Sequence, residues 1–178
     1  MERKGLRGGT AVLVGVSASV ALAATAVAGA AVLRFADELR DYSTATAGPF
    51  DHASAQLQLV DRTSGTTAVL HVRGVDPSVA GTTFGAHVHN GPCGTDAPAA
   101  ALGHYNADAH AGHDLVVVSG RTEVWLDFTV DSTGAGDSSA AVSFPVEPGA
   151  RSVVVHASPT DPATGAAGPR LACLPVEW

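Results

Sequence analysis

The chain has 178 residues, 15% of them charged and 46% hydrophobic, with a formal net charge of −7. That length suits one domain with accessory segments. Five of the ten Lys and Arg and four of the seventeen Asp and Glu precede Gly48, so the remainder carries a formal −8. An acidic body without a basic stripe argues against nucleic acid as a partner. All eight histidines and both cysteines fall in that acidic part, the first pointer to a metal site.

Residues 1–34 read as an export segment. Met1 to Arg7 is net positive, and Gly8 to Leu33 holds no charge before Arg34. A basic start followed by an apolar run is the pattern of a secretory signal or a membrane anchor. The run is long enough to span a bilayer, yet Ala, Val and Gly dominate it. Ala26-Val27-Ala28 and Ala28-Gly29-Ala30 both fit the small-x-small pattern of signal-peptidase cleavage. The segment holds no cysteine, which argues against a lipoprotein anchor. The chain beyond Arg34 is therefore expected outside the cytoplasm, secreted or held at the membrane only by this segment. Residues 35–50, with Ser43, Thr44, Thr46, Gly48 and Pro49, read as an acidic linker.

Residues 51–178 read as the folded domain. Gln56 to Val60 alternates polar and apolar residues, as a half-buried strand does. Thr67 to Val72 follows a turn at Asp61 to Gly65. Further strands are expected at Gly85 to His89, Glu123 to Val130, Ala140 to Phe144, Ser152 to His156 and Leu171 to Pro175. No stretch carries a helical period. Such a series predicts an all-β antiparallel sandwich or flattened barrel. Between Asn90 and Arg121 lies a long loop rich in Gly, Ala, His and Asp, and loops of that length are usually functional.

His87-Val88-His89 is the pivot of the site. Two residues apart on a strand, both imidazoles leave the same face and can share one metal. Around the pair runs an ordered series: Gly85-Ala86-His87-Val88-His89-Asn90-Gly91, Cys93, Gly103-His104-Tyr105-Asn106, Val153-Val154-Val155-His156, and Gly168-Pro169-Arg170-Leu171-Ala172-Cys173. Taken together the series resembles the copper/zinc superoxide dismutases, from Ala53 to the C-terminus, with the first strand of that family absent or degenerate. The resemblance implies a Greek-key sandwich of about 7–8 strands with long functional loops, preceded here by an apolar N-terminal helix.

Carried over position by position, it implies His87, His89, His104 and His156 as copper ligands, with His104 the one shared with zinc in the full family. An all-imidazole site suits copper. The implied reaction is disproportionation of superoxide to dioxygen and hydrogen peroxide, with His104 also a candidate proton donor and superoxide anion the substrate. Arg170 matches the arginine that flanks the copper and attracts that anion, and steering of this kind is illustrated by this very enzyme family. Cys93 and Cys173, an even pair in an exported chain, read as a disulfide. His52 and His71 stand apart and read as structural or surface residues.

Zinc is where the chain departs from the family. His104 is followed by Ala109-His110-Ala111-Gly112-His113-Asp114, closer in than the family spacing. His110, His113 and Asp114 have the donor types for a compact zinc site with His104. The short stretch from His156 to Arg170 resembles copper-only members instead. In those an acidic residue near the following strand hydrogen-bonds the histidine that would have bridged. Glu123 is the first choice for that role and Asp127 the second, so one tight copper is expected, with zinc absent or weak. Two other readings compete: a non-catalytic copper-binding or chordin-related β-sandwich module, and a degenerate dismutase kept for structure. His156 together with Arg170 argues against the first, and the full set of copper positions against the second. Oligomeric state leaves no trace in the sequence.

Overall fold

The structure, a computed structural model, describes residues 25–27, 30–42, 48–94 and 97–178. It is mostly β, 44% strand against 8% helical, with antiparallel pairing throughout. Eleven strands are described in chain order: β1 Thr25–Val27, β2 Ala30–Glu38, β3 Arg40–Asp41, β4 Ser54–Arg62, β5 Gly65–Arg73, β6 Thr83–Phe84, β7 Ala86–His89, β8 Phe128–Thr129, β9 Gly136–Val142, β10 Ala150–His156 and β11 Arg170–Glu177. Besides two short 3-10 turns at Pro77–Val79 and Pro98–Ala101, one α-helical turn, α1, covers Ala107–His110. One sheet has the order β1-β2-β4-β5-β9 and the other β3-β11-β10-β7, while β6 and β8 form a small pair.

Alternation along the strands gives the sheets their inner faces. Leu57 and Leu59 on β4, Leu70 and Val72 on β5, Val88 on β7, Val153 and Val155 on β10, and Leu174 and Val176 on β11 all join one buried core. Phe50, Phe84 and Phe128 fill it with edge and tilted ring contacts, at 5.1–6.5 Å between centroids. On the second sheet the residues between these point the other way. In register, His87 lies opposite Val154 and His89 opposite Ser152. His87, His89 and His156 therefore share the outer face with Cys173, which stands opposite Val154.

The N-terminal boundary differs from the sequence reading. Every residue of Ala30–Glu38 has a partner on β4, and Leu33 and Phe35 pack against the core. Hence the end of the 1–34 segment and the start of the 35–50 linker are sheet. The apolar stretch hides the alternation: Leu33 and Phe35 face in, while Arg34 faces out and bonds Gln58 at 3.1 Å. Thr25–Val27 pairs in turn with β2. The rest of the expected apolar helix lies outside the described residues, and no helix among the described residues is long and apolar enough to cross a membrane. The strand expected at Ala140 to Phe144 begins earlier, at Gly136, and ends at Val142, and Glu123 to Val130 differs more. Only Phe128–Thr129 is a strand there; Glu123 and Trp125 make isolated bridges to Asn106 and His87.

Candidate metal centre

His87 and His89 are placed by β7 and His156 by the end of β10. His104 reaches the same spot after a long excursion, because its backbone bridges His89 and Tyr105 N–H donates to Val88 O at 2.8 Å. One ligand atom from each of these four histidines lies within 4.8 Å of every other, the one such group of metal-binding side chains among the described residues. His87 and His89 are fully buried, His156 nearly so, and His104 is half-buried.

Each ring has one nitrogen engaged by the protein. His89 Nδ1–H donates to Leu102 O at 3.1 Å and His156 Nδ1–H to Gly168 O at 3.1 Å. His104 Nδ1–H donates to Glu123 Oε2 at 2.8 Å. His87 Nε2 lies 2.6 Å from Thr160 Oγ1, which in turn donates to Asp127 Oδ1 at 2.6 Å. These acceptors assign the N–H of each ring and leave the opposite nitrogen as a bare lone pair. Two of the bare nitrogens, Nε2 of His89 and of His156, face each other at 3.3 Å. A third, His87 Nδ1, is buried without any hydrogen-bond partner. Facing lone pairs and an orphaned acceptor are unfavourable unless a cation sits among them.

Electrostatics keep these donors available. Burial, then repulsion from His104, His156 and His89, pushes the His87 pKa down to about 2. Burial and His104 push His89 down to about 3. His156 is lowered mainly by burial, with His104 and Arg170 adding repulsion. Neutral imidazole is the form that ligates metal.

Glu123 is almost fully buried and fully engaged. It accepts from His104, from Trp125 Nε1 at 2.8 Å and from Asn106 Nδ2 at 3.1 Å. Burial alone would raise its pKa, but hydrogen bonds from His104, Trp125 and Asn106 outweigh that and lower it. Asp127, the second choice for the same role, serves His87 through Thr160 instead. Arg170 sits at the rim and donates to Pro98 O and Leu102 O. The rim encloses an open hollow of about 760 Å³ lined by uncharged Pro98, Ala99, Leu102, Gly103, Gly168 and Pro169 besides Arg170. Cys93 and Cys173 form a disulfide, with Cα atoms 5.9 Å apart, that ties the loop after β7 to β11.

His110 and His113 stand outside the group. His110 Nδ1 is 3.1 Å from Glu147 Oε2 and its Nε2 2.8 Å from Asn90 Oδ1. His113 Nδ1 is 3.2 Å from Asp108 Oδ1, and Asp114 is exposed. His52 is exposed, and His71 pairs with Asp137 at 2.6 Å on the far sheet. Two contributors, Thr160 and Leu102, escaped the sequence reading, and a third, Gly85, was read there only as part of the motif. Thr160 carries the His87 contact. Gly85 lets the Thr160 loop come close, since a Cβ there would sit 2.7 Å from Ala167 Cβ and 2.8 Å from Ser158 O. Leu102 adopts φ 59°, a conformation disfavoured for leucine, and its carbonyl serves both His89 and Arg170. Neither models of known families nor curated proteins match this chain.

Proposed function

We propose that the chain is a copper-dependent superoxide dismutase built on a Greek-key sandwich, acting outside the cytoplasm. The reading rests on the resemblance of its ordered motifs to the copper/zinc family. Its chief physical support is the set of four imidazoles, each with one nitrogen anchored and the other bare. An all-nitrogen donor set suits copper, and His87, His89, His104 and His156 would hold it. When bound, copper would supply one-electron redox chemistry between its two oxidation states.

The protein's part is geometry, charge and protons. Arg170 is the one formal charge among the rim residues, so it would draw a small anion inward despite the acidic body. Its carbonyl anchors keep the guanidinium at the rim. His104, with 19% of its side chain exposed, is the ligand nearest to solvent protons, and Glu123 fixes its ring by the Nδ1 proton. The same bond supports the copper-only version, because Glu123 occupies the nitrogen that a bridging histidine would offer to zinc. His110 and His113, each already facing protein oxygens, support it too. A rim arginine is of little use to a carrier module, which favours an enzyme over the non-catalytic alternative. The disulfide fits an oxidising compartment.

The test is superoxide consumption by the copper-loaded full chain, measured with excess chelator so that free copper is silent. His156→Ala should lose copper and activity together. Arg170→Ala should keep its copper, turn over more slowly, and lose the wild type's decline with rising ionic strength. A loaded wild-type chain no faster than chelated copper would refute the enzyme.

A further inference from the structure

One polar cluster lies beside the four-histidine group without belonging to it. His110 closes α1, and its ring stacks on buried Tyr105 at 4.2 Å between centroids and 17° between planes. Its Nε2 meets Asn90 Oδ1 at 2.8 Å. Arg151 also donates to Asn90 Oδ1, at 3.2 Å, which fixes the orientation of that amide. Asn90 Nδ2 then donates to the backbone carbonyl of His104 at 2.9 Å.

The other end of α1 leads to the same residue. Asn106 caps the turn, its Oδ1 accepting from Asp108 N at 3.0 Å and Ala109 N at 3.3 Å. Its Nδ2 donates to Glu123 Oε1 at 3.1 Å, and Glu123 holds the His104 ring. One path therefore reaches the imidazole and the other the carbonyl of a single histidine. A ring held only through Nδ1 can still pivot about that bond. Fixing the carbonyl as well sets where the backbone carries the ring, and so where Nε2 aims.

We propose that α1 is a yoke on His104 and that His110 is a positioning residue, acting through Asn90. This rests on reading the four histidines as a metal centre. His110 itself touches neither that centre nor the rim; its work is to hold Asn90 against the His104 carbonyl. Glu147, on the outward nitrogen of His110, is exposed and tethers the turn to the surface.

The full chain carrying His110→Ala, loaded with one equivalent of copper(II), is compared with wild type by EPR and by chelator competition. An altered hyperfine pattern and about 10-fold weaker copper are expected, the lower end of the usual cost of losing an outer partner. His110→Gln, whose amide N–H can still serve Asn90, should recover towards wild type. Glu147→Ala, which cuts only the outward contact, should leave the spectrum unchanged. Asn90→Ala and the double variant His110→Ala/Asn90→Ala should match each other, since both break one path. A wild-type spectrum and affinity for His110→Ala, or full additivity in the double variant, overturns the yoke. Should His110→Ala fail to fold, Asn90→Ala carries the comparison, and a wild-type spectrum and affinity for it overturn the yoke. In copper-free protein the His104 ring resonances should move in the His110 variant; unmoved, they refute the yoke without any metal. A wild-type chain that takes up no copper would instead refute the metal centre.

Discussion

At Thr160 a single hydroxyl sets the chemistry of a buried ring. Its oxygen accepts a hydrogen bond from His87 Nε2–H, and its own hydroxyl donates to Asp127, which also accepts the Thr160 backbone N–H at 2.7 Å. The chain of bonds leaves His87 Nδ1 bare. Thr160→Val keeps the shape and removes the acceptor, so the ring loses its preferred tautomer. About 10- to 100-fold weaker copper is expected, while Thr160→Ser should stay close to wild type. Chelator competition measures both, and equal affinities for Val and wild type would show that the hydroxyl does not hold the ring. Strand spacing paired His87 with His89, whereas His104, His156 and Glu123 entered only through the resemblance of the ordered motifs to a known family. Thr160 was not legible, because its partner lies 73 residues away and only the close approach over Gly85 brings them together. Leu102 was silent for another reason: it acts through its carbonyl, which every residue has.

Among the elements, β2 carries the largest difference from the sequence reading. Strands with mixed faces, such as β4 and β5, announced themselves by alternation. In β2 the outward positions Ala30, Val32 and Ala36 are apolar too, and the stretch continues an uncharged run that begins at Gly8, so period gave way to composition. The structure restores the period: Phe35 packs against Trp178 at 5.6 Å between ring centroids, and Arg34 turns outward. A chain beginning at Leu39 would keep β3 and buried Phe50 but lose β2. It would then lack Leu33 and Phe35, each worth at most about 1.5–3 kcal/mol when buried, and would expose the long edge of β4 to other molecules. Compared with a chain beginning at Ala30, it should unfold at lower denaturant and self-associate, as urea titration and sedimentation would show. Equal midpoints for the two would mean that β2 adds nothing to the domain.

For the whole molecule, the site sets how stability responds to acid. In the unfolded chain a histidine takes up its proton near 6.5, whereas folded His87 does so only near about 2 and His89 near about 3. His156 is shifted the same way by its burial. Between those limits the unfolded chain binds more protons than the folded one, so stability must fall as pH drops below 6.5. Each such histidine adds up to about 1.4 kcal/mol per pH unit to that slope. Glu123 acts in the same direction further down, because its folded carboxyl gives up its hydrogen bonds only below the usual 4.5. Urea unfolding of the copper-free chain should therefore be flat above about pH 7 and weaken steadily towards pH 5. His87→Gln and His89→Gln should each lessen the slope, since glutamine takes up no proton in either state. Copper should hold stability higher at every pH, because it binds the neutral imidazoles of the folded form alone. Its advantage should shrink in acid as protons compete for the same nitrogens. A copper-free chain whose stability is level from about pH 7.5 to 5 would mean that these rings are not shielded from water, and the packing that keeps their lone pairs free would be wrong.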